Sequence, residues 1–257
     1  MSAILEATGL TKTFGAVTAA SSLDVRIETG SVVGLIGGNG AGKTTFINLV
    51  TGYLKPTSGT VRFDGRDITG MAPRQVTRLG LCRSFQIPQV FDSLTAYENL
   101  LVGLGIVSMG RKAFVGSALG SQPPEVVAEE MLRRFRLGPY RDELASTLPE
   151  GVRKLLDIAM ALAVKPRLLL LDEPTSGVSS DEKFTLMDLV LEAIRAEGVT
   201  VLFVEHDMEV VCRYVHRVLA FYEGRIIADG EPAAVMAHPE VRRYVVGEAP
   251  TGGEKAC

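Results

Sequence analysis

Gly37-Gly38-Asn39-Gly40-Ala41-Gly42-Lys43-Thr44 is the most informative segment of this 257-residue chain. It fits the pattern GxxxxGK[ST], follows the apolar residues 31–36 and precedes a predicted helix over residues 45–50. The glycines let the backbone curl, so that successive N–H groups and the positive end of the helix point at one anion. Lys43 adds charge for the β and γ phosphates, and the Thr44 hydroxyl is placed to bind Mg²⁺. The stretch therefore predicts a phosphate-binding loop rather than an ordinary glycine-rich turn.

A pair of acids follows the apolar residues 167–171. In open α/β sheets, ligands bind beyond the carboxyl ends of the strands, so Asp172 is predicted to hold Mg²⁺ through water. Glu173 is predicted to polarise an attacking water as a general base. The alternative is that the two acids only cap the turn at Pro174.

Segments rich in β-branched residues predict an antiparallel layer and a parallel sheet. Helical patterns separate the later strands, and the clearest covers residues 181–197, with a capping box of Ser179 and Glu182 and with Gly198 at its end. Strand signals vanish over residues 95–164, which predicts a helical insertion, and the class is therefore α/β. The predicted strands cover residues 4–8, 23–27, 31–36, 60–63, 167–171, 200–204, 217–221 and 225–228.

Composition and charge narrow the classes of partner. The formal net charge is only -3 and charged residues make up 22% of the chain, so no broad basic field exists to collect nucleic acid. The most apolar stretches, residues 155–164 and 199–204, are shorter than the roughly 20 residues that a spanning helix needs. No secretory signal is visible, and the chain is expected to stay in the compartment where it is made.

Five motifs in order carry a family resemblance: GGNGAGKTT from Gly37, SFQ ending at Gln86, LPEG from Leu148, LLLLDEPTSG from Leu168, and VEHD from Val204. With them the chain resembles the nucleotide-binding subunits of ABC transporters over nearly its whole length. The ending ADGEPAAVMAHPEVRRYVVGE, residues 228–248, and the short insertion are similar to the ATPases of branched-chain amino acid uptake systems.

The resemblance implies a P-loop NTPase fold with a RecA-like parallel-sheet core, an antiparallel β subdomain and a helical insertion. Residues 1–247 would form one ABC ATPase domain, followed by a flexible tail over residues 248–257. Within that domain, residues 1–94 would hold the β subdomain and the phosphate-loop part of the core. Residues 95–164 would form the helical signature subdomain, and residues 165–247 the rest of the core.

The resemblance also implies roles for individual residues. Phe14 would stack on adenine, although a core phenylalanine is the alternative. Gln86 would touch Mg²⁺ or the water as the Q-loop glutamine, or else be an exposed loop amide. His206 would hold the γ-phosphate and the water in register with Glu173. ATP would be bound by Phe14, Gly37, Gly38, Asn39, Gly40, Ala41, Gly42, Lys43, Thr44 and Thr45, and Mg²⁺ by Thr44, Gln86 and Asp172.

The segment Leu148-Pro149-Glu150-Gly151 stands where the family signature LSGGQ belongs, and would reach the ATP of the other protomer. Pro149 cannot supply the serine hydroxyl, and Glu150 would repel phosphate unless its side chain turns away. A helix starting near Val152, with Arg153 or Lys154, would compensate. Three readings stay open: a tolerated variant, a heterodimer with one weakened signature, and an inactive site. Ser179 also stands where many members carry Asp in the dimer-bridging loop.

By this resemblance the chain is an ATPase that hydrolyses ATP with Mg²⁺ in a head-to-tail dimer and powers uptake of a small solute, with branched-chain amino acids as the first candidate. Its expected partners are ABC permease subunits, a second identical or different ATPase subunit, and a solute-binding protein. Its expected place is the cytoplasmic face of the membrane. Residues 87–98 would dock the permease, with Phe91 and Tyr97 exposed for this contact, or else either aromatic residue belongs to the core. The alternatives are a lipid or lipopolysaccharide transport ATPase and a soluble ABC ATPase that acts on ribosomes or DNA.

Overall fold

The structure is a computed structural model that describes residues 2–84, 89–111 and 122–247, with the backbone alone for residues 106–111. The chain divides into two compact units, each described below by itself. The first unit contains residues up to Leu81 and residues from Thr200 onward, and the second contains residues 82–199.

An antiparallel sheet forms one layer of the first unit, with strand order β2-β1-β4-β5. The two long strands are paired from Ala3 opposite Glu28 to Phe14 opposite Val17, and they turn at Gly15. They extend well beyond the predicted residues 4–8 and 23–27, because cross-strand hydrogen bonds continue where the alternation of buried and exposed residues fades. The strands are β1 (Ala3–Phe14), β2 (Val17–Glu28), β4 (Ser58–Phe63) and β5 (Arg66–Asp67).

A second sheet of this unit runs in the order β10-β9-β3-β8. Its strands are β3 (Val32–Ile36), β8 (Thr200–Val204), β9 (Arg217–Tyr222) and β10 (Arg225–Gly230). Strand β3 pairs in parallel with β8 and with β9, and every residue of β3 and β8 is buried. Strand β10 turns back antiparallel to β9, as the sequence predicts. The predicted parallel-sheet core is therefore confirmed.

Helices of the first unit are short. The first of them, α1, begins at Lys43, two residues before the predicted start, since the backbone already turns into the helix at Gly42. The helices are α1 (Lys43–Val50), α2 (Pro73–Arg78), α7 (Met208–Tyr214), α8 (Pro232–Ala237) and α9 (Pro239–Val241), with a π-helical turn over Arg242–Val246.

The second unit is mainly helical. Between residues 95 and 164, its described residues form helices and a single bridge between Thr95 and Leu144, so a helical segment stands where the sequence predicts one. Two short strands lie side by side, with the Ser84 N–H donating to the Leu170 carbonyl at 2.8 Å. The elements are β6 (Leu81–Arg83), α3 (Ala96–Arg111), α4 (Pro124–Arg134), 3₁₀ turns at Gly138–Tyr140 and Ala145–Thr147, α5 (Glu150–Ala163), β7 (Leu168–Asp172) and α6 (Ser180–Glu197).

Two further helix starts differ from the sequence-based expectation. Helix α5 begins at Glu150 rather than near Val152, because Pro149 is preorganised for the position before the first turn. Ser179 does precede α6, but its hydroxyl donates to the Glu182 carboxylate at 2.8 Å and accepts no backbone N–H, so the predicted capping box is wrong. Gly198 ends α6 in the left-handed conformation, as predicted.

Within the part of the chain that the structure describes, every helix is too short or too polar to cross a bilayer.

Candidate nucleotide-binding and catalytic residues

The glycine-rich loop follows β3 directly, and its glycines are required by geometry at two positions. Gly37 has a φ of 150°, and a Cβ there would lie 2.5 Å from the carbonyl oxygen of Phe221. Gly42 has a φ of 105°, and a Cβ there would lie 2.8 Å from the carbonyl oxygen of Ala19. Side chains are thus excluded where the loop passes its neighbouring strands, and the backbone turns directly into α1.

The side chain of Lys43 folds back into the glycine-rich loop. Its side chain is buried, and its Nζ donates to the carbonyl oxygens of Gly37 at 2.5 Å and Gly38 at 3.1 Å. The ammonium is therefore held within the curl of the loop, while Gly38, Asn39, Gly40 and Thr44 face solvent and Thr45 is half-buried. A buried cation beside exposed backbone suits the binding of a polyphosphate.

His206 is brought beside this loop by strand pairing. Leu35 of β3 pairs with Val204 of β8, so the carboxyl ends of the two parallel strands meet at one edge of the sheet. His206 is exposed there, two residues after the end of β8. Asp207 fixes the following turn, since its carboxylate accepts the N–H of Glu209 at 2.9 Å and of Val210 at 3.4 Å. The imidazole thus lies between a strand end that is paired with β3 and a turn that is held by Asp207.

Glu205 is a buried acid that the sequence reasoning missed. It is only 3% exposed, its N–H donates to the Leu35 carbonyl at 3.4 Å, and its carboxylate accepts the His206 N–H at 3.3 Å. Buried carboxylates need such partners, so this acid belongs to the structure that orients the histidine. The signal that could have revealed it is a carboxylate directly at the end of an apolar strand.

Phe14 ends β1 on the surface of the first unit. Its ring is 49% exposed, and the Nζ of Lys12 lies 5.1 Å from the ring centroid. The alternative of a core phenylalanine is therefore wrong. An exposed ring with a cation at its face is suited to stacking on a planar base.

Asp172 ends β7 in the second unit, where it pairs with Arg83. The Arg83 guanidinium lies 2.5 Å from the Asp172 carboxylate, and the two side chains are only 10% and 13% exposed. This ion pair joins the ends of β6 and β7, a contact that sequence reasoning did not anticipate. Because the carboxylate is a hard oxygen donor, as is the Thr44 hydroxyl, both residues fit Mg²⁺ chemically.

Glu173 has a backbone conformation that is rare for its residue type. Its φ is +50°, in the left-handed region that side chains other than glycine seldom adopt. Its carbonyl oxygen accepts the Ser176 N–H at 3.1 Å and the Lys154 ammonium at 3.2 Å. The turn after Asp172 is thus held in one shape by hydrogen bonds, and its strain marks a candidate functional position.

The signature segment begins α5. Leu148 is buried, Pro149 precedes the helix, and Glu150 and Gly151 form its first turn. The Glu150 carboxylate lies against the Cα of Gly177 in the same unit, in the space that a Cβ at Gly177 would fill.

Arg153 and Lys154, the two cations that the sequence offers as compensation for Glu150, both have partners in their own unit. Arg153 pairs with Asp92 at 2.6 Å. Lys154 is buried and donates to the carbonyl oxygens of Glu173 and Ser176. Both cations are thus bound within the second unit.

Other predicted residues are only partly covered. Gln86 and the tail over residues 248–257 lie outside the described residues. In the predicted docking segment, Phe91 is 46% exposed, whereas Tyr97 is half-buried with the Arg141 guanidinium 4.1 Å from its ring. Of the two aromatic residues that were expected to be exposed on this segment, Phe91 is exposed and Tyr97 is only partly so.

Comparison with known proteins gives a consistent family. The family model described as ABC transporter matches residues 20–176. The branched-chain amino acid transport ATP-binding protein BraF of Pseudomonas aeruginosa is 35% identical over 251 residues, which cover 96% of this chain and 98% of that protein. The corresponding protein LivG of Escherichia coli is 33% identical over 96% of this chain and 98% of its own length.

Solved structures agree with the sequence relatives. The ADP conformation of an ATP-binding cassette of an ABC transporter superposes with a TM-score of 0.82 at 31% identity, covering 96% of this chain and all of that one. A dimeric post-hydrolysis cassette bound to ADP and Pi superposes with a TM-score of 0.74 at 25% identity, covering 88% of this chain and 98% of that one. By sequence and by fold, this chain belongs to the ABC transporter family, as one of its ATP-hydrolysing subunits.

Proposed function

We propose that this chain powers uptake of branched-chain amino acids, or of closely related small solutes, by hydrolysing Mg²⁺-bound ATP. The observation that carries the proposal is the glycine loop after β3, with its buried Lys43 and its exposed backbone. The cargo is proposed from relatives named for branched-chain amino acid transport, which match nearly the full chain.

In the proposed reaction, Lys43 and the N–H groups of residues 38–44 bind the β and γ phosphates, and the Phe14 ring stacks on the base. Asp172 and Thr44 would hold Mg²⁺, with Gln86 as a further ligand, and the ion would neutralise charge on the phosphate oxygens. Glu173 accepts a proton from the attacking water, whose oxygen bonds to the γ phosphorus while the bond to ADP breaks and ADP leaves. His206 donates a hydrogen bond to the γ-phosphate.

The remaining partners follow from the same proposal. Two ATPase subunits would bind two ATP molecules head to tail, each signature segment over residues 148–151 facing the partner's nucleotide. Loss of the γ-phosphate would reopen the pair and drive permease subunits at the cytoplasmic face of the membrane. A solute-binding protein would deliver the cargo, and residues 87–98, with Phe91, would contact the permease.

Reconstitution tests cargo and chemistry separately. The chain, its permease subunits and its solute-binding protein would be placed in liposomes with Mg²⁺ and ATP inside. Radiolabelled leucine should accumulate with the wild type and fail to accumulate with Glu173→Gln, while that variant retains bound ATP. ATPase activity without leucine uptake would overturn the cargo, and unchanged steady-state hydrolysis by Glu173→Gln would remove Glu173 from its role. Co-purification with ribosomes or DNA instead of membrane subunits would replace the transport proposal.

A further inference from the structure

The first two turns of α5 pack against the loop over residues 173–178, which begins at the second of the two acids. Glu150 and Lys154 lie four residues apart and therefore share one face of the helix. Both side chains reach this loop within the second unit: Lys154 at Glu173 and Ser176, and Glu150 at Gly177. One helix face thus contacts the loop at three backbone positions.

Lys154 makes the more buried of these contacts. It is 4% exposed, although lysine is among the residues that are least often fully buried. Its Nζ donates to the Glu173 carbonyl at 3.2 Å and to the Ser176 carbonyl. An ammonium held away from water needs such acceptors, and these two lie at opposite ends of the turn that includes Pro174. The lysine therefore ties both ends of the turn to α5.

Glu150 lies against the next residue of the loop. Gly177 has a φ of +74°, and any Cβ there would overlap the Glu150 carboxylate. The following residue, Val178, comes within 3.9 Å of the position of a Cβ on Gly151. A side chain at Gly177 would meet the Glu150 carboxylate on the helix side, and this carboxylate is directed at the loop of its own chain.

Glu173 shows why the loop needs these contacts. Its left-handed backbone is a strained conformation, which persists only when the surroundings hold it. The Lys154 ammonium binds the carbonyl of this same residue. The strained residue and its support are therefore joined directly.

We propose that Lys154 and Glu150 are positioning residues that hold residues 173–178 and thereby aim the Glu173 carboxylate, an inference that rests on the proposed role of Glu173 as general base. The departure from the family signature at Glu150 then has a use in this chain. Its carboxylate lies against Gly177, in the loop that begins at the proposed general base. The first turns of α5 and the loop over residues 173–178 are thus in direct contact.

Hydrogen exchange tests the contacts without nucleotide. In Lys154→Met, whose side chain has similar length but no donor, the amides of residues 175–178 should exchange at least tenfold faster than in the wild type. Lys154→Arg should restore much of the protection, since it keeps a charged donor. Lys165→Met, the same change at an exposed lysine just beyond the other end of α5, should leave exchange in this loop unchanged. Unchanged exchange in Lys154→Met would overturn the proposal.

Kinetics then separate positioning from simple destabilisation. Lys154→Met should lower kcat about tenfold or more while the Kd for Mg²⁺-ATP stays within twofold, and Lys154→Arg should recover kcat. If the affinity for Mg²⁺-ATP fell by the same factor as kcat, the positioning role would be overturned. Failure of Lys154→Arg to recover kcat would overturn it as well. If Lys154→Met does not fold, Glu150→Ala replaces it, with faster exchange at Gly177 and Val178 as the expected result and unchanged exchange as the contrary one. A wild type that hydrolyses no ATP would refute the proposed function, and the exchange experiment would still decide whether α5 holds the loop.

Discussion

Single residues of the candidate site are defined by partners far away in sequence. Arg83 and Asp172 are 89 positions apart and form the ion pair that joins β6 and β7. In the proposed function, the Asp172 carboxylate would have to interact with both this guanidinium and Mg²⁺. Residue identity alone shows the acid, and only the fold shows what cation it already contacts.

Breaking this pair should be costly. Arg83→Met leaves a carboxylate with little access to water, so the free energy of unfolding should fall by about 3 kcal/mol, as for other buried pairs that lose one partner. Urea denaturation without nucleotide measures it. The double variant Arg83→Met/Asp172→Asn should lose less free energy of unfolding than the two single variants lose in sum, because it no longer buries an unpaired carboxylate.

Arg153→Met serves as the matched control, since its pair with Asp92 is 28% and 64% exposed. Loss of an exposed pair should cost under about 1 kcal/mol. If the free energy of unfolding falls equally in the two arginine variants, burial of the Arg83 pair does not add to its contribution to stability.

Gly42 is the second residue-scale test. Gly42→Ala places a Cβ against the Ala19 carbonyl and forces a φ of 105° on a residue with a side chain. The free energy of unfolding should fall by about 2 kcal/mol or more, measured by urea denaturation. Gly38→Ala, where a Cβ meets nothing within 4 Å, should change it by less than about 0.5 kcal/mol. A tolerated Gly42→Ala would contradict the packing of this loop.

At the scale of elements, helix starts show where local patterns succeed and where they fail. The motif of a hydroxyl residue followed three positions later by glutamate occurs before α3 and before α6. Before α3 it forms a capping box: the Thr95 N–H donates to Glu98 at 2.8 Å, and the Thr95 hydroxyl accepts the Glu98 N–H at 3.2 Å. Before α6 the same motif forms a side-chain hydrogen bond instead. From the sequence, a capping box is predicted before α6 only, and the one before α3 is seen in the structure alone.

This difference predicts unequal costs for equal substitutions. Thr95→Ala should lower the free energy of unfolding by about 1 kcal/mol, because a backbone N–H at the start of α3 loses its acceptor. Ser179→Ala removes no bond to a backbone N–H and should cost only about 0.3 kcal/mol. Urea denaturation of the two variants side by side makes the comparison. A larger loss in Ser179→Ala would mean that the serine caps α6 after all.

At the scale of the whole molecule, the groups of the proposed reaction are divided between two units. The phosphate loop, Phe14 and His206 belong to the first, and Asp172, Glu173 and the signature segment to the second. In the proposed function, hydrolysis therefore depends on both units and on a second subunit.

We expect Mg²⁺-ATP to convert the Glu173→Gln variant from a monomer to a dimer. Glu173→Gln with Mg²⁺-ATP should elute at twice the monomer mass, because the bound triphosphate is retained and stabilises the closed pair. Adding Lys43→Ala, which removes the cation for the phosphates, should return the protein to the monomer mass. Light scattering coupled to size exclusion measures both. A Glu173→Gln variant that stays monomeric at saturating Mg²⁺-ATP would contradict the proposed homodimer and leave a different second subunit to be sought.

Sequence patterns were enough to predict the phosphate loop, the parallel strands beside it, the helical character of the middle of the chain and the family, because these depend on neighbouring residues and on motif order. The contacts of the side chains were visible only in the fold: Arg83 on Asp172, Lys154 on Glu173 and Ser176, and Glu150 against Gly177. Such partners are brought together over long stretches of chain by the packing of whole strands and helices. No local pattern in the sequence encodes that packing, which is why the orientation of Glu150 could be read only from the fold.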